Sequence, residues 1–164
     1  IEVGETESLS EGYCVNNGMK LLCHTMKLSK EFRKSSVSER LNELISRKSD
    51  LRHANLLDCY GYRIFKGEMN ILYEHPSVGC LEYLTVSCKR FNPGMVAFYA
   101  KQILEGLEYL HAYELQHLSI YPSNLVLTDA ETIKLGPFSC FEEVVEKKIR
   151  VEVHKLRYMA PEVS

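Results

Sequence analysis

The polar side chains that could support catalysis are concentrated in residues 117–140, which read HLSIYPSNLVLTDAETIKLGPFSC. They include His117, the hydroxyl of Ser119 and the amide of Asn124. A serine hydroxyl is a poor proton acceptor near neutral pH, so Ser119 is a poor general base. Asn124 could bind a metal ion or hydrogen-bond the backbone of its own loop, whereas Pro137 has no side-chain ligand to offer. The segment therefore holds polar groups without a complete catalytic set.

Histidine and cysteine usage predicts neither a metal site nor a disulfide framework. The chain has six residues of each type, with no ligand spacing and no C-x-x-C pair. We expect free thiols, because a chain with 45% hydrophobic residues can bury a core without disulfides.

The composition is that of an ordinary globular chain of 164 residues, enough for one domain or for one domain and part of another. A formal charge of -2 gives no basic field, so we expect no nucleic-acid partner. No apolar run approaches the roughly 18 residues of a membrane span, and the N-terminus has no signal-peptide character. These features predict a cytoplasmic protein with no membrane span within this chain.

Residues 117–140 resemble, without a gap, the catalytic loop and metal-binding loop of protein kinases, whose patterns are H-R-D-L-K-P-x-N and D-F-G. Other family patterns occur in the family order: R-H-x-N-L, L-E-Y-L-H and M-A-P-E. Leu118 replaces the family arginine, Ser119 the catalytic-base aspartate and Pro137 the magnesium-binding aspartate. Positions that keep the family residue include His117, Asn124 and Phe138. The resemblance implies a kinase scaffold that lacks the reactive groups.

The same resemblance implies an α+β fold with two lobes. Residues 1–75 would form a small β-rich N-lobe with one regulatory helix, and residues 76–164 the first half of a helical C-lobe. Since a kinase fold would continue beyond Ser164, we expect the chain to be a fragment or a truncated form.

Local patterns predict the elements that position these segments. Asn17-Gly18 between apolar runs predicts a type I′ hairpin over residues 13–26. Apolar residues at helical spacing predict a helix within residues 35–51. Further strands are predicted over residues 56–63, 69–75, 125–128 and 132–135, with a turn at Lys66-Gly67.

The strongest helical pattern covers residues 93–112, with a proline near its start. Its apolar stripe predicts a face directed into the core. The stripe consists of Val96, Tyr99, Ile103, Leu104, Leu107, Leu110 and His111.

Three positions correspond to the roof of the kinase nucleotide cleft. Gly12 is the only glycine that can fill a slot of the G-x-G-x-x-G loop. Aligning V-A-I-K with residues 21–24 puts Leu22 at the small residue beside adenine and His24 at the phosphate-binding lysine. Lys27 is the rival for the lysine role, although strand alternation puts it on the opposite face. The alternative for His24 is a half-exposed strand residue with no function.

The remaining cleft positions lie on the regulatory helix, at the hinge and on the cleft floor. Glu43 is the nearest candidate for the glutamate that pairs with the lysine, the alternative being a surface glutamate. The resemblance implies that Tyr73 is the gatekeeper, that Glu74 opens the hinge and that Val126 belongs to the cleft. Pro76 stands where a backbone N–H would donate to adenine, and proline has none. The alternative is that Pro76 merely stiffens a linker.

Residues 141–163 correspond to the end of the activation segment and contain no serine or threonine, so Tyr158 is their only hydroxyl. Leu118 replaces the arginine that would bind a phosphate on that segment. Switching by activation-loop phosphorylation is therefore not expected.

Loss of a base, a metal-binding aspartate and a lysine argues against an effective enzyme. We predict a pseudokinase, a catalytically inactive kinase-like domain that acts as a scaffold or allosteric regulator of a protein partner such as an active kinase. One alternative is a weak atypical serine/threonine kinase that holds metal through Glu131 or Glu142. The other is a nucleotide-binding switch without catalysis. No cofactor is expected, and ATP would bind weakly at most.

Overall fold

The computed structural model describes residues 7–28, 35–88, 90–128, 131–137 and Tyr158. Its helices and strands, in chain order, are β1 (Glu7–Tyr13), β2 (Lys20–Lys27), α1 (Ser35–Ser49), β3 (Cys59–Phe65), β4 (Glu68–Glu74), β5 (Gly79–Cys80), α2 (Leu81–Ser87), α3 (Pro93–Ala112), β6 (Leu125–Leu127) and β7 (Ile133–Leu135). A short 3-10 turn covers Pro122–Asn124. The described strands form a four-stranded antiparallel sheet, ordered β1-β2-β4-β3, and a three-stranded sheet, ordered β5-β6-β7.

The first hairpin is present, but its predicted turn and first strand are wrong. β1 lies upstream of the expected strand, and a loop over residues 14–19 connects it to β2. Gly18 has a positive φ of 70°, whereas Asn17 does not, so the pair cannot form a type I′ turn. The Asn17 side chain instead accepts a hydrogen bond from the Met19 N–H at 3.0 Å.

The type I′ geometry occurs at the second hairpin, between β3 and β4. Lys66 and Gly67 have φ values of 51° and 81°, and they directly follow the Phe65–Glu68 pair. A two-residue turn with two positive φ angles matches the twist of antiparallel strands. The predicted turn at Lys66-Gly67 is therefore confirmed.

One face of the four-stranded sheet is buried. Residues directly opposite each other on antiparallel strands share a face, and three such pairs of β2 and β4 lie on this one. The pairs are Leu22 with Tyr73, His24 with Ile71 and Met26 with Met69. All except Leu22 are less than 9% exposed, so this face forms the core of the first sheet.

Helix α1 forms where the sequence pattern predicts a helix and contacts β3. Among its described side chains, Leu44, Ile45 and Lys48 are buried. Leu44 and Lys48 are four residues apart, so they lie one above the other on one face of the helix. A lysine therefore belongs to the buried face of α1.

The two sheets are joined by a short extended segment that runs beside β7. Leu57 N–H donates to the Leu135 carbonyl at 3.0 Å, and Leu135 N–H donates to the Asn55 carbonyl at 2.8 Å. The Asn55 side chain donates to the Ile133 carbonyl at 2.9 Å and to Gln102 Oε1 on α3 at 3.0 Å. This buried amide therefore connects the segment before β3 to both β7 and α3.

Helix α3 begins and ends at the predicted residues, and the Asn92 side chain caps its start by accepting from Gly94 N–H at 2.8 Å. Its apolar stripe is only partly core. Tyr99 and Leu110 are buried, but Val96 is 52% and Leu104 64% exposed, and His111 is also exposed. The prediction of a fully buried stripe is wrong because helical periodicity places residues on one face without specifying what covers that face.

No helix in the described part of the chain has the length and apolar character needed to cross a membrane. The five cysteines in that part are thiols, at positions 14, 23, 59, 80 and 88.

We expect Asn55→Ala to lower the free energy of unfolding by about 1–3 kcal/mol, because it removes the two hydrogen bonds of a buried side chain. Gln102 Oε1 keeps its bond from Ile133 N–H, so most of the loss comes from the buried Ile133 carbonyl. Asn42→Ala is the matched control on α1, where the described structure contains no Asn42 hydrogen bond, and little change is expected. Urea unfolding of both variants measures the difference. Equal losses in the two variants would show that Asn55 does not connect the sheets.

Candidate functional site

The loop that resembles a catalytic loop is organised around a buried histidine. His117 is 2% exposed, and its Nε2 donates to the Gly136 carbonyl at 3.2 Å. Its Nδ1 accepts from Ser119 N–H at 3.3 Å. With one ring nitrogen donating and the other accepting, the imidazole is neutral, with its proton on Nε2.

Burial explains this charge state. It disfavours the imidazolium and lowers the pKa of His117 to about 3. The hydrogen bond to Gly136 opposes that shift, and the positive charge of Lys48 adds to it. His117 therefore acts as a neutral hydrogen-bonding bridge between the loop and residue 136.

Asn124 forms the second bridge in the same cluster. Its side-chain amide donates to the Ser119 carbonyl at 3.2 Å and to the Pro137 carbonyl at 3.4 Å. Its own carbonyl accepts from Gly136 N–H at 2.6 Å. A Cβ on Gly136 would lie 2.5 Å from that carbonyl oxygen, so only glycine fits there. The structure thus places Asn124 in the backbone-bonding role that was one of its two alternatives.

The other loop positions have different surroundings. Leu118 is 39% exposed and has a φ of 61°, a backbone region that branched residues rarely adopt. Ser119 is partly buried, and both its backbone N–H and its carbonyl belong to the cluster. Pro137 is buried and contributes a carbonyl acceptor. Phe138 lies outside the described residues.

Two of the expected cleft residues lie elsewhere. Gly12 belongs to strand β1, opposite Leu21, without a positive φ, so its assignment to a glycine-rich loop is wrong. The assignment failed because β1 begins before the predicted hairpin. Glu43 is exposed and forms no ion pair with any described residue, because α1 turns Leu44 and Ile45 inward instead. The structure therefore supports the alternative for Glu43, a surface glutamate on an amphipathic helix.

His24 is 6% exposed, so the interpretation as a half-exposed strand residue is also wrong. Its neighbours across the sheet are Leu9 on β1 and Ile71 on β4. Lys27 is exposed, as expected from the alternation that puts it on the opposite face. The side chain at position 24 therefore belongs to the buried face of the first sheet.

The hinge residues lie next to one another and to the second sheet. Leu22 is opposite the buried Tyr73, and Glu74 ends β4. The Glu74 carboxylate accepts from Asp58 N–H at 3.1 Å and forms an ion pair with the ammonium group of Lys134. Both charged side chains are largely buried, at 22% and 15% exposed. This pair connects the end of the first sheet to β7.

Val126 is 4% exposed on β6 and is the register partner of Lys134. Facing pairs of an antiparallel ladder share a face, so Val126 lies on the side of the second sheet that carries the ion pair. The structure therefore pairs Leu22 with Tyr73 on the first sheet and links Glu74, through Lys134, to the strand that carries Val126.

A second charge cluster lies beside Pro76 and was not predicted. Glu11 on β1 contacts the Lys20 ammonium at 2.9 Å and His75 Nε2 at 2.7 Å. Hydrogen bonds from Lys20 and His75 lower the pKa of Glu11. Glu11 and Lys20 are diagonal neighbours across β1 and β2, a relation that only the correct hairpin register could have indicated.

The pKa of His117 gives a testable pH dependence. The folded pKa of about 3 lies below the ordinary value of 6.5, so the unfolded chain binds a proton that the folded chain does not. The contribution of His117 to the free energy of unfolding is fully present above pH 6.5. It falls by at most about 1.4 kcal/mol per pH unit as the pH drops towards 3.

Because glutamine does not titrate, we expect the unfolding free energy of His117→Gln to lose the pH dependence that His117 causes. Urea unfolding at pH 7.0 and at about pH 5 measures this difference. His111→Gln, at an exposed position on α3, should keep the wild-type pH dependence. An unchanged slope in the His117 variant would contradict the assignment.

Comparison with known proteins finds one matching family model and a set of similar proteins. A model of the family described as "Protein kinase domain" matches residues 4–164. Aurora kinase A-A of Xenopus laevis is 28% identical over 133 residues, which cover 81% of this chain and 33% of that protein. Serine/threonine-protein kinase SMU1 of Mycosarcoma maydis is 26% identical over 98% of this chain and 21% of its own length. For human mitogen-activated protein kinase kinase kinase 4, the identity is 30% over 69% of this chain and 7% of that protein.

The chain thus spans about a third or less of the length of these relatives. The family match covers nearly all of it, and the first sheet and the helices correspond to the β-rich N-lobe and to part of the helical C-lobe. From this match, and from the α+β architecture described above, the chain belongs to the protein kinase family.

Proposed function

We propose that this domain acts by binding a protein partner, as a scaffold or allosteric regulator in cytoplasmic signalling, and does not transfer phosphate. The observation that carries the proposal is the cluster formed by His117, Asn124 and Gly136. These residues hold the loop through backbone contacts, while Ser119 and Pro137 stand at the positions of the base and the metal ligand.

The requirements of phosphoryl transfer support this proposal. The reaction depends on metal ions, a lysine on the phosphates and a base that positions the nucleophile. His24 occupies the lysine position on the buried sheet face, and Glu43 points away from it into solvent. Pro137 has no carboxylate to bind a metal ion, and Asn124, whose amide nitrogen donates to two carbonyls, offers only a neutral amide oxygen. No residue of the described cluster replaces the missing charges.

The hinge supports weak nucleotide binding at most. Pro76 lacks the N–H that would donate to an adenine ring, and Leu22 adds bulk opposite Tyr73. An unsatisfied acceptor costs about 1–3 kcal/mol, which corresponds to roughly ten- to a hundredfold in affinity. The residues present therefore do not fit the nucleotide and metal of an active kinase.

Weak phosphotransfer is the second candidate, because the matched relatives are named as kinases. A kinase of this kind would need another metal ligand, and Glu131 is one candidate. Glu131 precedes β7 and Pro137 follows it, so the two residues lie beyond opposite ends of that strand. Glu131 is therefore poorly placed, and Glu142 lies outside the described residues.

Transfer of labelled phosphate from ATP to a generic protein substrate, with magnesium or manganese, tests the proposal. We expect no transfer above the blank from the wild type, and none from Asn124→Ala. Transfer by the wild type that is lost in Asn124→Ala, with circular dichroism confirming that the variant is folded, would favour the kinase alternative.

A restoration experiment in the same assay tests the hinge and lysine arguments. The double variant Ser119→Asp with Pro137→Asp regains two family carboxylates, yet we expect it to remain inactive while His24 and Pro76 are in place. Robust turnover by this double variant would refute the interpretation of the cleft.

A further inference from the structure

A buried lysine connects helix α1 to the loop. Lys48 lies in the last turn of α1 and is only 3% exposed, on the same face as Leu44 and Ile45. Lysine is almost never fully buried unless its charge is compensated. Its Nζ donates to the carbonyl of Gln116 at 3.4 Å, immediately before His117. A charged side chain therefore shares the buried face of α1 with Leu44 and Ile45, the other buried side chains that the structure describes on this helix.

A second side chain reinforces the contact. Arg47 Nη2 donates to the Tyr113 carbonyl at 2.9 Å, so adjacent basic residues of α1 bind two carbonyls of one short segment. That segment ends α3 and leads into the catalytic-loop region, and its Leu115 is 3% exposed. The end of α1 and the start of the loop are thus fixed to each other at two points.

The contacts continue into the site. Gln116, whose carbonyl Lys48 binds, directly precedes His117, and the His117 ring bonds Ser119 N–H and the Gly136 carbonyl in turn. A continuous series of contacts therefore runs from the last turn of α1 to the residues before Pro137.

We propose that Lys48 is a latch that couples the position of α1 to the conformation of the loop at residues 116–119. An apolar side chain would fill the same space but would not fix the helix to one carbonyl, because hydrophobic contact is not directional. Replacing buried ionic groups by apolar ones is often neutral or stabilising, so the ammonium serves position more than stability. The latch does not depend on the proposed function, since it would transmit a partner's or a ligand's effect equally well.

Hydrogen exchange of the protein with Lys48→Met tests the latch. We expect the C-terminal amides of α1 and those of residues 117–119 to exchange at least tenfold faster. The core amides of α3 should stay within about threefold of wild type, and the melting temperature should not fall. Lys48→Arg, which keeps the donor, should restore slow exchange, and Lys101→Met, at an exposed site on α3, should change nothing in α1.

Unchanged exchange in α1, or an equal acceleration at all amides, would overturn the proposal. If Lys48→Met fails to fold, the wild type alone still decides the matter. The latch requires residues 44–49 and 117–119 to open together, with protection factors within about threefold of each other across denaturant concentrations. Protection factors that differ by tenfold or more would contradict it.

Discussion

The pairing of residues 55–57 with β7 is the interaction on which the rest of the structure depends. It extends the second sheet by a parallel segment that leads directly into β3 of the first sheet. The buried amide of Asn55 fixes the same segment to α3 through Gln102. The Glu74–Lys134 ion pair then closes the junction at the hinge. Without this junction, the cleft residues of one sheet would have no defined position relative to the loop residues beside the other.

In this site, the residues that fix the shape of the loop differ from those at the positions of kinase chemistry. His117 and Asn124 keep the residue of the family pattern, and His117, Asn124 and Gly136 are all bonded to backbone groups. The positions of the base and the metal ligand hold Ser119 and Pro137, which take part only through backbone groups. Retention of the scaffold together with replacement of these groups is the basis of the proposed non-catalytic role.

Some of this arrangement could be predicted from the sequence because the signals are local. The bounds of α3 follow from an early proline and a long apolar stripe. The order of the family patterns located the loop without any knowledge of packing. Pro76 and Pro137 could be interpreted in the same way, since the lack of an N–H or of a carboxylate is a property of the residue itself.

The remainder depends on register and packing, which local patterns do not encode. Asn17-Gly18 has the sequence of a type I′ turn, yet that geometry occurs at Lys66-Gly67. The predicted first strand lies too far along the chain, so the cluster of Glu11 with Lys20 and His75 was not predicted. Only the observed register of β1 and β2 brings Glu11 beside Lys20. Lys48 has the sequence context of a surface lysine on an amphipathic helix and is buried only because α1 meets the segment at residues 113–116.

The central claim is that the cleft no longer holds magnesium and ATP, and the melting temperature of the protein with millimolar ATP, with magnesium or with a chelator, tests it most directly. A ligand that binds only the folded state raises the midpoint by an amount set by RT ln(1 + [L]/Kd). The account predicts no shift that depends on magnesium, and at most a small shift with ATP alone. A clear shift that requires magnesium would contradict it and would mean that the protein retains metal ligands outside the cluster of His117, Asn124 and Gly136.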